Sequence, residues 1–80
     1  MRCTEEMKLW LFDLAHGNLD NNKIVSGFLK HYALYDMGIR DVQRDIHFHT
    51  HYSIEQTIQA MESLKGALTK AAGIKEADVK

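Results

Sequence analysis

Apolar residues recur along this chain at the three- and four-residue spacing of an amphipathic α-helix. The first such stretch places four large apolar residues on one face: Met7, Trp10, Leu11 and Leu14. Thr4 precedes the stretch as an N-terminal cap, and Gly17 follows it where a helix can end in the left-handed conformation. We therefore predict a first helix over residues 5–16.

A second helix is predicted over residues 21–37, with Asp20 or Asn21 as its cap. Its expected core face consists of Ile24, Val25, Phe28, Leu29 and Tyr32. Gly38 is expected to end this helix, with Ile39 folding back on Leu34 in a Schellman closure. Asp36 would oppose the helix dipole in the last turn, which weighs against this boundary.

The third predicted helix begins at Ser53, which forms a capping box with Gln56. One face carries its apolar residues: Ile54, Ile58, Met61, Leu64, Leu68 and Ala71. We expect Gly73 to end the helix, with Ile74 packing on Leu68. Gly66 inside the helix costs about 1 kcal/mol relative to alanine, and it can permit the close approach of another helix.

The segment between the second and third helices changes its pattern. Ile39, Val42 and Ile46 keep helical spacing, but polar and apolar residues alternate from Ile46 to Tyr52, as in a strand. Because no second strand is predicted, we expect a short helix over residues 40–46 followed by an extended connection. The predicted fold is all-α: a small bundle of three main helices plus a short helix or extended connection, in a single domain covering residues 1–80.

Composition restricts the functions that this domain can have. The chain is 45% hydrophobic with a net charge of −1, so it can fold but lacks the basic character typical of nucleic-acid binders. Because Cys3 is the only cysteine, the chain cannot form an intrachain disulfide. A free thiol is typical of proteins in a reducing compartment. No apolar run approaches the roughly 20 residues that span a bilayer, and the first residues do not resemble a signal peptide. We expect a cytoplasmic protein without a membrane partner.

Three alternating histidines, His47, His49 and His51, are the most unusual local feature. In an extended segment their side chains would share one side, and neutral imidazole is a common zinc ligand. The pattern therefore suggests a partial metal site, although the sequence places no fourth ligand. The alternatives are a pH-responsive contact or a polar connection in which Phe48 and Tyr52 fill the core. We favour the polar connection, with no cofactor.

Residues 34–46 place Gly38 ahead of a short helix that carries Ile39, Val42 and Ile46. This arrangement resembles the first half of a bacterial helix-turn-helix. The resemblance implies DNA binding by a second helix that begins near residue 53. The residues that would contact DNA are then Gln56, Gln59, Arg40 and Arg44.

Two features disfavour that DNA-binding role. The connection over residues 46–53 is several residues longer than the tight turn of a helix-turn-helix. The candidate recognition helix also opens with the acidic Glu55, where a phosphate-facing surface needs a basic residue.

Catalytic motifs are missing from the sequence, which has no glycine-rich phosphate loop and no nucleophile elbow. Cys3 lies close to the chain terminus, where a nucleophile lacks preorganisation. Asp41 and Asp45, with Arg40 and Arg44 at the same spacing, are interpreted as a solvated charged surface. We predict that the protein is not an enzyme and has no catalytic residues.

The first two helices carry more apolar residues than one buried stripe can accommodate. The surplus residues are Leu9, Phe12, Leu34 and Tyr35. A chain of this size has a thin core, so exposed apolar residues favour association. We therefore expect a non-catalytic binding or regulatory protein, of inhibitor or adaptor type, that docks an apolar-aromatic helical surface on a larger protein and forms a homodimer. The alternatives are a helix-turn-helix DNA-binding regulator and a small histidine-based metal-binding protein.

Overall fold

A computed structural model describes residues 3–79 of the protein and the side chains of residues 3–71. Its four α-helices are α1 (Glu5–Ala15), α2 (Asn21–His31), α3 (Ile39–Asp45) and α4 (Ile54–Val79). A 3₁₀ turn covers Ala33–Tyr35, and a π-helical turn covers Ile46–Thr50. The all-α class is therefore confirmed. Apolar side chains from all four helices meet in one buried cluster.

Helix α1 agrees closely with its prediction. The Thr4 hydroxyl oxygen accepts a hydrogen bond from the Met7 backbone N–H at 3.1 Å, which caps the first turn. Gly17 follows the helix with a φ of 69°, the left-handed conformation expected there. The predicted face is buried: Met7, Trp10, Leu11 and Leu14, joined by Ala15.

Helix α2 ends at His31, so the predicted helix over residues 21–37 was too long. The fully buried Tyr32 leaves the helical path, with a φ of −124°. Asp36 then adopts the left-handed conformation, with a φ of 60°, and the Met37 N–H returns to the Tyr32 carbonyl at 2.9 Å. Aspartate tolerates this conformation because its short polar side chain can bond locally.

Gly38 consequently begins α3 instead of ending α2, with an extended φ of −111°. Its backbone N–H donates to the Asp41 carboxylate at 2.8 Å, which caps the short helix. The predicted closure of Ile39 onto Leu34 was wrong, because Leu34 lies in the 3₁₀ turn and points to solvent.

The connection after α3 is π-helical, so the predicted extended conformation was wrong. The Thr50 hydroxyl bonds to the Ile46 carbonyl one turn earlier, an alternative partner that threonine often offers the backbone. His51 ends the turn in the left-handed conformation, with a φ of 57°. Because Ile46 is fully buried, it anchors this turn in the core.

Helix α4 begins as predicted, since the Gln56 N–H donates to the Ser53 hydroxyl oxygen at 3.2 Å. The Ser53 hydroxyl in turn donates to the Gln56 side-chain carbonyl at 3.4 Å. The helix passes through Gly73 to Val79, so the predicted end at Gly73 was wrong. The expected packing of Ile74 on Leu68 lies outside the described side chains.

The buried face of α4 is rotated from the predicted one. It consists of Thr57, Ala60, Met61, Leu64 and Ala67. Ile54 is 75% exposed and Ile58 is also exposed, so their predicted places in the core were wrong. Thr57 can be buried because its hydroxyl donates to the Ser53 carbonyl at 2.9 Å, which satisfies the polar group. Leu29 of α2 was wrongly predicted as core in the same way and is 53% exposed.

Trp10 of α1 lies directly over Gly27 of α2. Its indole N–H donates to the Lys23 carbonyl at 3.3 Å, and a Cβ atom on Gly27 would overlap the indole ring. Gly66 of α4, which was expected to allow close helix approach, has open space around it instead. Gly27 is therefore the glycine at which two helices meet.

These two helical glycines predict opposite effects of alanine. Gly27→Ala should lower the free energy of unfolding by about 1–3 kcal/mol, because the new methyl group displaces the indole. Gly66→Ala should raise it by about 0.5–1 kcal/mol, because alanine favours the helix and meets nothing. Urea unfolding followed by circular dichroism measures both, and effects of the same sign would contradict this packing.

Candidate functional site

The outward side of α1 carries an aromatic patch, formed by Leu9, Phe12, His16 and Tyr52. Leu9 is 64% exposed and Phe12 is 47% exposed. The Phe12 ring stacks on His16 with centroids 4.2 Å apart. Tyr52 packs on both rings, with its centroid 6.0 Å from that of Phe12 and 5.1 Å from that of His16. The patch is therefore a contiguous surface built from α1 and the segment before α4.

The His16 ring has polar contacts as well as aromatic ones in this patch. His16 Nδ1 lies 2.9 Å from the Phe12 carbonyl oxygen and 3.1 Å from the Tyr52 hydroxyl. Burial, and next the negative charge of Asp13, raises the pKa of the Tyr52 phenol above its ordinary value. His16 directly follows α1 and lies four residues after Phe12, so their contact could be predicted from the sequence. The contribution of Tyr52 could not, because it depends on the π-helical turn.

A second exposed surface lies at the corner where α2 ends. Leu34 is 73% exposed and Tyr35 is 60% exposed. They line a groove of ≈ 410 Å³ together with Met7 and His31. Burial lowers the pKa of the His31 imidazole, which favours its neutral form beside these apolar groups. We call this surface the Leu34–Tyr35 corner.

All four residues predicted for protein binding are exposed, but they belong to two different surfaces. Met7 and Phe12 are five residues apart on α1, which places them roughly 140° apart around a helix of 3.6 residues per turn. The corner adjoins Met7, whereas Phe12 belongs to the aromatic patch. The two surfaces therefore lie on different sides of α1.

The three predicted metal ligands lie on and after the π-helical turn, and all three side chains are exposed. His47 contacts the neighbouring Phe48 ring edge-on, with centroids 5.3 Å apart. His49 Nε2 lies 3.8 Å from Asp45 Oδ1. The shared orientation expected of His47, His49 and His51 does not occur, because it required an extended backbone. Among the described residues, no three histidine, cysteine or acidic side chains group closely enough to hold a metal ion.

The residues predicted to contact DNA are divided between two helices. Arg40 and Arg44 lie on α3, where Arg44 Nη1 is 3.1 Å from Asp41 Oδ1. Gln56 and Gln59 lie on α4 and line a groove of ≈ 460 Å³ beside the end of α1.

Phe48 of the π-helical turn was expected to fill the core, in the polar connection that we favoured for this segment. It is exposed instead.

Asp45 is buried, although it was predicted to lie on a solvated surface. The Tyr32 hydroxyl donates to its Oδ2 at 2.8 Å, and the Arg44 Nε lies 3.3 Å from Oδ1. Burial, followed by the hydrogen bond to this carboxylate, raises the pKa of the Tyr32 phenol far above its ordinary range. Asp45 follows Val42 by three residues and precedes Ile46, so its place on the buried stripe was visible in the helical spacing.

Cys3 packs against the core and is partly buried. Burial, and next the negative charge of Asp45, raises the pKa of its thiol. The thiolate is the nucleophilic form of cysteine, so this environment disfavours nucleophilic chemistry.

Comparison with known proteins gives no match: no protein-family model, curated protein or solved structure is significantly similar to this chain. Within the described part of the chain, no helix combines the length and apolar character needed to cross a bilayer.

The buried pair predicts a stability loss that depends on pH. Tyr32→Phe should lower the free energy of unfolding by about 1–3 kcal/mol at neutral pH, because it leaves a buried carboxylate oxygen without its donor. Since folding raises the pKa of Tyr32, its contribution is complete below the ordinary tyrosine pKa of about 10 and is lost as the pH rises above it. The wild-type protein should therefore lose more stability between neutral and alkaline pH than Tyr32→Phe does.

Tyr35→Phe is the matched control, because Tyr35 is exposed. It should change the free energy of unfolding by less than about 0.5 kcal/mol and keep the wild-type pH dependence. Equal alkaline losses in wild type and Tyr32→Phe, measured by urea unfolding, would show that the Tyr32 proton is not linked to folding.

Proposed function

We propose that this protein is a small non-catalytic, cytoplasmic regulatory domain, of inhibitor or adaptor type, that binds a larger protein through the Leu34–Tyr35 corner. One observation carries the proposal: two adjacent large apolar side chains, Leu34 and Tyr35, are both mostly exposed beside a groove. Single exposed apolar residues are common on protein surfaces, whereas adjacent ones beside a concave surface are typical of interaction sites.

The backbone holds the corner in one shape. Tyr35 N–H bonds to the Tyr32 carbonyl at 3.0 Å, and Met37 N–H bonds to the same oxygen at 2.9 Å. Tyr32 itself is fully buried, so the turn is attached to the core at its first residue. A preorganised turn loses little conformational freedom on binding, which favours affinity.

The groove at the corner fits an amphipathic helix of the partner protein. The largely buried Met7 and His31 line it beside the exposed Leu34 and Tyr35. Glu6 and Lys30 form an ion pair at the edge of the same groove. One apolar side chain of the partner helix would fill the groove. Charged residues one turn away on the same helix would contact Glu6 and Lys30, as in helix-in-groove recognition.

Photo-crosslinking tests this role. A benzophenone amino acid at position 35 should give an adduct heavier than a dimer of this chain in cells of its native host, and the same probe at position 29 should not. Leu29 is the matched position, since it is exposed on α2 and does not line the corner groove.

The crosslinked protein, purified separately, should then bind the wild-type chain in a calorimetric titration. Leu34→Ser should weaken this binding by about tenfold or more, the loss typical of a central apolar contact, while Leu29→Ser should change it less than about twofold. Equal losses for the two variants, or an adduct made only with a second copy of this chain, would contradict the proposal.

A further inference from the structure

The outward side of α1 has the residue spacing of a helix-pairing seam. Glu5, Leu9, Phe12 and His16 follow one another at intervals of four, three and four residues. This is the spacing at which side chains of one helix meet a second helix along a shallow stripe. All four are exposed, because the buried face of α1 lies on the opposite side. Among the described residues, Tyr52 packs on the Phe12 and His16 end of the stripe, and Glu5 and Leu9 at its other end are exposed.

The chemistry of this stripe changes from one end to the other. An acidic residue, Glu5, lies at its start, a histidine, His16, lies at its end, and the apolar Leu9 and Phe12 lie between them. If a second copy runs antiparallel, with a two-fold axis between positions 10 and 11, Leu9 meets the partner's Phe12. The same axis brings Glu5 opposite the partner's His16.

We propose that two copies of this chain form a homodimer by pairing their α1 helices antiparallel along Glu5, Leu9, Phe12 and His16. The two-fold axis makes the contact isologous, so both copies use the same surface and the assembly closes at two. A parallel pair would instead place like residues opposite each other, including the two carboxylates. The charge pattern therefore selects the antiparallel orientation.

Other side chains border the stripe at each of its ends. Tyr52 packs on Phe12 and His16, which widens the apolar surface at one end. At the other end, Lys8 Nζ lies 3.6 Å from Glu5 Oε1, so the lysine beside the seam is paired within its own chain. The Glu5 carboxylate can still accept a hydrogen bond from the partner's His16, since the Glu5 side chain is 88% exposed.

The dimer surface differs from the Leu34–Tyr35 corner, so this inference does not rest on the proposed function. A contact of about three helical turns lies at the small end of specific interfaces, below about 1,200 Å² of buried surface. We therefore expect a dimer that dissociates in the micromolar range.

Sedimentation equilibrium over a range of concentrations tests the dimer. The wild-type protein should change from monomer to dimer mass as its concentration rises. Leu9→Ser combined with Phe12→Ser should stay monomeric at the concentrations where wild type is dimeric. Leu29→Ser and Leu34→Ser, which remove exposed leucines elsewhere, should dimerise like wild type.

Circular dichroism checks that each variant is folded, and Leu9→Arg provides a second disrupting variant if the double variant unfolds. A wild-type protein that is monomeric at every concentration overturns the proposal. So does a dimer that the substitutions at Leu9 and Phe12 leave intact. Loss of partner binding by Leu34→Ser without any change in dimer mass would separate the two surfaces.

Thiol crosslinking with a short bismaleimide tests the orientation. In a background of Cys3→Ser, Glu5→Cys mixed with His16→Cys should give a crosslinked heterodimer, and neither variant alone should crosslink. In the antiparallel pair, position 5 of one copy lies eleven residues along the helix axis from position 5 of the other, and the same holds for position 16. At 1.5 Å per residue, the two cysteines of a single variant are then separated by about 17 Å. Crosslinking of each variant with itself would show a parallel pair and overturn the proposed geometry.

Discussion

One buried hydrogen bond, from the Tyr32 hydroxyl to the Asp45 carboxylate, joins the end of α2 to the end of α3. A carboxylate is tolerated in an interior only where donors reach its oxygens, so this contact constrains the chain on both sides. Tyr32 leaves the helical path directly after α2, and Asp45 is the last residue of α3. The twelve residues between them must therefore turn back on themselves. They do so through the 3₁₀ turn and the left-handed Asp36.

The positions of the two exposed surfaces depend on this hydrogen bond between Tyr32 and Asp45. The turn that follows Tyr32 directs Leu34 and Tyr35 to solvent, whereas Tyr32 itself lies in the core. The π-helical turn that follows Asp45 leads to Tyr52, which packs beside Phe12. The same contact that closes the interior thus sets the positions of the side chains available for binding.

The sequence was sufficient to predict a helix boundary where the boundary depends on the helix's own capping residue and apolar stripe. Thr4 and Ser53 cap their helices as predicted, because a cap depends only on residues three positions away. The end of α2 could not be predicted this way, since Tyr32 stops the helix for a partner thirteen residues further along. Likewise, Ile54 fits a helical stripe but lies outside the core, because the packing of α4 selects the smaller residues of the neighbouring stripe. The exposed residues of α1 were predictable, whereas the contribution of Tyr52 to their surface required the fold.

Trp10 is the only tryptophan of the chain, and it lies between α1 and α2 with its indole against Gly27 and its N–H on the Lys23 carbonyl. Its ring also approaches Tyr32, with centroids 5.9 Å apart. The aromatic patch lies on the other side of the same helix. Intrinsic fluorescence at a wavelength selective for indole therefore reports on the integrity of the interior and is insensitive to what covers the outside of α1. The molecule thus contains a built-in optical probe that distinguishes unfolding from assembly.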